Sequence, residues 1–111
     1  MSETIHVATE LRTANGTPVE HVPVPGVQAT VATGRGVSEN AAYKRILRWV
    51  GETEGKSHSG FPRKVVVRFP RGKVQRTHNF PLMLKALERA EHVRFVPGWG
   101  WTLTPSGERN Q

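Results

Sequence analysis

Residues 63–76, RKVVVRFPRGKVQR, limit what this chain can fold into more than any other stretch. Val65, Val67 and Phe69 alternate with Lys64, Val66 and Arg68, the two-residue period of a strand with one face on a core and the other on solvent. The alternation breaks at Pro70-Arg71-Gly72-Lys73 and resumes through Val74-Gln75-Arg76-Thr77-His78, which predicts a β-hairpin. Six of the fourteen residues are Lys or Arg and none is acidic. The expectation is an apolar face on the core and Lys64, Arg68, Arg71, Lys73 and Arg76 together on a surface open to an anion.

The rest of the chain is read around that hairpin. Residues 4–24 predict another one: TIHVATELR alternates, Asn15-Gly16 accepts the positive φ of a tight turn, and VEHVPV returns. Pro18 and Pro23 cannot donate to a ladder, which places the return strand at an edge. GVQATVAT suggests a short third strand, and Thr33-Gly34-Arg35-Gly36 a flexible break. Ser38 then reads as an N-cap for a helix over about 39–50. Tyr43, Ile46, Leu47 and Val50 form its buried stripe, and Lys44, Arg45 and Arg48 fall on the solvent side. Asn79 caps a second helix over about 80–91, with Pro81 in its first turn and Lys85 and Arg89 on its outer face. VRFVPGWGWTLT reads as strand, Pro-Gly turn and strand, and SGERNQ as a frayed tail.

The predicted order is β-β-(β)-α-β-β-α-β-β, a small single α+β domain with mostly antiparallel sheet and two helices, in which no parallel crossover is demanded. Its parts would be an N-terminal hairpin or extension over 1–36, a basic core over 37–105 and a polar tail over 106–111. A helix followed by a hairpin also permits a winged-helix-like C-terminal half, with 80–91 as recognition helix and 93–104 as wing.

Composition narrows the function classes. At 111 residues the chain suits one modest core. With no cysteine there is no disulfide framework, thiolate metal site or Cys nucleophile. The N-terminus lacks a basic start followed by an apolar run, and no apolar run approaches the ~18 residues of a membrane span. An intracellular, cytoplasmic protein with no membrane partner is expected. Net charge is +7, unevenly placed: residues 1–36 carry two bases and three acids, and residues 37–111 carry fourteen bases and six acids. Between Glu54 and Glu88 lie eight bases and no acid, the charge footprint of a nucleic-acid binder. Arg outnumbers Lys, 11 to 5, which suits forked contacts to phosphate or guanine edges.

The leading expectation is therefore a non-catalytic nucleic-acid-binding protein, DNA before RNA. Lys64, Arg68, Arg71, Lys73, Arg76, Lys44, Arg48, Lys85 and Arg89 would sit on phosphates, and Trp99 or Trp101 would stack or anchor a partner. A second reading is a small regulatory or inhibitory protein docking on an acidic host-protein surface, as its short, basic, cysteine-free composition suggests for products of phages and mobile elements. Its contact would be the Pro-rich 18–25 edge or the GWGW loop. A third is a metal-free nuclease using His58 or His78 as general base. His6 and His21 could face each other, but two histidines without a third ligand make a weak metal site. No metal or cofactor is expected, and the oligomeric state is left open.

Overall fold

The computed structural model describes residues 3–8, 11–31, 34–69 and 74–111. Two sheets and three helices build it. A first strand, β1 (Thr4–Ala8), is followed by a loop and a single 3-10 turn (Val19–His21), then the long helix α1 (Gly34–Glu52). After it come β2 (Lys64–Phe69), β3 (Val74–Asn79), α2 (Phe80–Arg89), β4 (Val93–Val96), β5 (Gly100–Leu103) and the short helix α3 (Pro105–Asn110). The α+β class with mostly antiparallel strands is as the sequence predicts: β2 pairs β3 antiparallel, and so does β4 with β5.

The N-terminal hairpin is a correction. β1 does not pair with residues 18–24. It runs parallel to β2, with Ile5 opposite Val65 and Val7 opposite Val67, so that α1 lies on a parallel crossover in a sheet ordered β1-β2-β3. The Asn15-Gly16 turn does form, with Gly16 at φ +82° and a bond from Gly16 N–H to Thr13 O, but it closes only a small loop through one bridge between Arg12 and Pro18. Pro18 and Pro23 remove two donors from the would-be return strand, whereas β2 offers an unbroken ladder and apolar partners for Ile5 and Val7. Residues 20–24 are held instead by a buried side chain on α1. Asn40 donates to the carbonyls of Glu20 and Val22 and accepts from Val24 N–H at 3.0 Å.

The suggested third strand is also absent: residues 26–31 form a turn and irregular backbone, and residues 32–33 lie outside the described residues. Helix α1 begins a turn earlier than expected. Ser38 is therefore not its cap but a fully buried residue inside it. Gly36, read as part of a flexible break, is required by packing, because a Cβ there would lie 1.1 Å from the Thr30 carbonyl oxygen.

One core joins the layers. Ile5, Val65 and Val67 from the sheet meet Tyr43, Ile46, Leu47 and Val50 of α1 and Phe80, Met83, Leu84 and Leu87 of α2. Each large apolar side chain so buried contributes roughly 1.5–3 kcal/mol. Trp49 packs edge-on against both Phe80 and Phe61, with centroids 5.1 and 5.4 Å away. Beneath α2 lie α1 and a three-stranded sheet, not the helical bundle that a winged helix requires. Among the described residues, no helix is long and apolar enough to cross a membrane.

Both ends of α2 follow from its sequence. Asn79 Oδ1 accepts from Leu82 N–H, and Pro81 occupies the first turn. At the other end Glu91 adopts φ +63°, while His92 N–H bonds to Leu87 O and Glu91 N–H to Glu88 O, a left-handed helix cap made without glycine. The tail is not frayed. Thr104 caps α3 by accepting from Gly107 N–H, Pro105 fills its first turn, and Lys44 Nζ donates to Asn110 O at 3.1 Å. His92, 2% exposed, joins three segments through Pro25 O, Ser106 Oγ and Thr104 N–H.

Candidate nucleic-acid interface

The register of the three-stranded sheet decides which side chains share a surface. Ile5, Val65 and His78 stand on the face that meets the helices, and the His78 ring contacts Ser38 of α1. The alternate positions stand on the other face: Thr4, His6 and Ala8 of β1, Lys64, Val66 and Arg68 of β2, and Gln75 and Thr77 of β3. Val66 marks this division, being 5% exposed and yet no part of the core cluster. Its cross-strand neighbours are His6 and Thr77, and Lys64 and Arg68 lie two residues to either side.

This outer face carries cations and no carboxylate among the described residues. The acids stand elsewhere. Glu39 and Glu52 are on α1, Glu88 on α2 and Glu91 just beyond it, and Glu108 on α3. Glu20 is buried in the 3-10 turn, and Glu54 accepts from the Thr102 hydroxyl beside β5. Glu3, one residue before β1, lines a surface groove with Arg45 and Trp49 on the helical side. The layers thus segregate charge: bases on the sheet's outer face, and mixed signs among the helices.

The nine expected phosphate contacts do not form one surface. Lys64 and Arg68 are exposed together on the outer face. Arg76 is exposed too, but pairs with Val67 and so belongs to the helical side, near Arg35 and His78. Arg71 and Lys73 lie outside the described residues. Lys44 is a correction: it is 6% exposed, not on the solvent side, and its ammonium holds α3. Burial, with Arg48 adding a smaller effect, pushes its pKa below the usual lysine value. Helix α1 starts early and is covered by the 19–24 segment and α3 as well as by the sheet, so its buried surface is wider than one stripe. Arg48 is half-buried beside Glu52, Glu54 and Glu108. Lys85 and Arg89 are exposed on α2, which packs with α1 against the inner face of the sheet, away from Lys64 and Arg68.

The two tryptophans also part company. Trp99, 58% exposed, sits in the β4–β5 turn against Gly55, while Trp101, 4% exposed, belongs to the core. They do not point the same way as a continuous strand would make them. Gly100 intervenes at φ +127°, where backbone from Gly55 passes so close that a Cβ would lie 2.4 Å from it. Trp101, Phe61, Phe95 and His58 form a ring cluster with centroids 5.1–5.9 Å apart. Between this cluster and α2 opens a cleft of about 270 Å³.

The histidines divide likewise. His78 Nε2 lies 2.6 Å from the Ser38 hydroxyl. Burial lowers its pKa; Glu39 opposes this and Arg35 and Arg76 add to it, so the neutral ring accepting from Ser38 is favoured. His58 is exposed and stacks in the aromatic cluster. The Pro-rich edge over 18–25 is tied to the body by Asn40 and His92.

His6, Gln75 and Thr77 were missed as companions of Lys64 and Arg68. The signal for His6 is the alternation of TIHVA once β1 is paired with β2, and the signal for Gln75 and Thr77 is their alternation with Arg76 and His78 in β3. Comparison with protein-family models, curated proteins and solved structures finds no match.

Proposed function

We propose that this protein binds nucleic acid through the outer face of its three-stranded sheet. One observation carries the reading: Lys64 and Arg68 share that face with His6, Gln75 and Thr77 and, among the described residues, with no carboxylate. Two cations on one β surface can neutralise phosphates, and the release of condensed counterions supplies affinity. Thr77 and Gln75 add neutral donors for phosphate or base edges. Arg76 on the opposite face of the edge strand β3 extends the positive field around that edge. Affinity through phosphates is largely blind to sequence, and among the described residues the surface carries no Trp, Tyr or Phe of the kind on which single-strand binders stack bases. Duplex DNA is thus the preferred ligand, and no catalytic step is assigned.

The test is fluorescence anisotropy of a labelled duplex across a salt series. Affinity should fall as salt rises, and Lys64→Ala/Arg68→Ala should shrink the slope of log K against log salt by about 0.9 per lost phosphate contact. An absence of binding at low salt, or an unchanged slope in the double variant, defeats the reading.

A protein-docking role draws support from Trp99 alone, whose exposed indole stands on the GWGW turn as an anchor residue would.

A further inference from the structure

We propose that His6 is a third phosphate contact of the sheet's outer face, made only while its imidazole is protonated, so that the interface tightens as pH falls. The proposal rests on the reading of that face as a nucleic-acid interface and adds a proton-controlled element to it.

Position singles out His6 among the five histidines of the chain. His78 meets Ser38 on the helical side, and His92, 2% exposed, is bonded to Pro25 O and Ser106 Oγ. His58 lies among Phe61, Phe95 and Trp101, and His21 belongs to the 3-10 turn packed on α1. His6 stands on the outer face, exposed, and its ring has no hydrogen bond or ion pair among the described residues.

Register sets the ring between the two cations. His6 is opposite Val66, and Lys64 and Arg68 lie two residues to either side on β2. Neighbouring strands are ~4.8 Å apart and rise ~3.3 Å per residue, so each cation stands about 8 Å from His6 along a diagonal. A polyanion lying over Val66 meets all three. A neutral imidazole offers a phosphate one N–H, whereas the protonated ring offers two and a positive charge. A phosphate beside an imidazole favours the charged form in return, so binding and protonation assist each other.

Few other charged groups stand near His6. Its neighbours along β1 on the same face, Thr4 and Ala8, carry none. At the sheet edge it borders a groove with Glu3 and with Arg45 of α1, whose guanidinium lies 3.6 Å from Glu52. Glu3 is the carboxylate that competes with phosphate for a protonated His6, and it enters the test for that reason.

Anisotropy of a labelled duplex is read with the full chain over a salt series at about pH 7.5 and about pH 5.5, the window in which histidine charges. Wild type should bind about fivefold more tightly at the lower pH, and its slope of log K against log salt should steepen by about 0.9, one more neutralised phosphate. His6→Gln should lose more than half of that gain. His6→Arg, charged throughout, should bind at the higher pH as wild type binds at the lower. Glu3→Gln should respond to pH as wild type does. The other histidines add charge in every variant alike, so the difference between wild type and His6→Gln is the readout. A His6→Gln variant that keeps half of the gain or more, or a gain abolished by Glu3→Gln, overturns the proposal. Should Lys64→Ala/Arg68→Ala weaken binding while His6→Gln keeps the gain, the proton-controlled contact alone falls. Binding indifferent to the Lys64→Ala/Arg68→Ala change defeats the sheet-face reading, and this proposal with it.

Discussion

The outer face of the three-stranded sheet and the cleft beside the two-stranded sheet are built on opposite plans. The first is a strand surface that carries Lys64 and Arg68 and, among the described residues, no carboxylate. The second is concave and ring-lined, and its deepest walls, Trp101 and Leu84, belong to the core, while His58 and Phe95 stand exposed at its mouth. The contrast teaches that charge can be spent on recognition where a sheet is already anchored by its other face. An aromatic pocket, by contrast, must recruit residues that also hold the molecule together.

Stability measurements can break that contrast at its widest point. Trp101→Ala should lower unfolding free energy by about 3–5 kcal/mol, the usual cost of emptying a buried aromatic site. Lys64→Ala should stay within about 0.5 kcal/mol of wild type, as exposed substitutions do. Chemical denaturation of the two variants checks both statements, and a comparable loss from Lys64→Ala would erase the distinction between recognition surface and core wall.

Next in size, DNA affinity should separate the two regions the other way. Lys64→Ala/Arg68→Ala should weaken duplex binding about tenfold or more at low salt, whereas Phe95→Ala should leave it within about twofold. Anisotropy titrations of both variants read the difference directly.

A smaller effect concerns the link between α2 and β4. Glu91 holds a left-handed conformation that costs a non-glycine residue about 1 kcal/mol, so Glu91→Gly should raise stability by about that amount. A loss of stability in thermal melts would mean that the Glu91 side chain contributes more than its backbone costs.

The smallest effect concerns pH. The folded-state pKa of His78 lies below its ordinary value, chiefly through burial, so the native protein resists protonating it. Its contribution is therefore complete above about pH 6.5 and is lost as pH falls from there through the depressed folded-state value. Denaturation midpoints for wild type and His78→Gln between pH 7.5 and 5 should diverge in slope, wild type losing more on acidification.

Legibility in the sequence follows the same divide. Hairpin β2–β3, helix α2 with its Asn79 cap, and strands β4 and β5 are written in local alternation, capping and turn residues, and these elements fold as read. Pairing of β1 is not local. TIHVA alternates equally well for a hairpin or a parallel crossover, and two prolines in the return segment tip the balance toward β2. Helix α3, expected as a frayed tail, carries a local signal of its own: Thr104-Pro105 is an N-cap with proline in the first turn. The basic segment was visible as charge, but the face each base occupies depends on register, which sets Arg76 apart from Lys64 and Arg68. Lys44 followed the helical period yet is buried, because α3 packs where solvent was expected. The cleft was the least legible feature, since His58, Phe61, Phe95 and Trp101 converge from separate segments.

The most direct test of the central claim is amide chemical-shift mapping of the labelled protein titrated with a short DNA duplex at low salt. The predicted result is that shifts concentrate at Thr4, His6, Lys64, Val66, Arg68, Gln75 and Thr77 and reverse on adding salt. Shifts confined to His58, Leu84, Phe95 and Trp101, or none at all, would contradict the sheet face as the nucleic-acid interface.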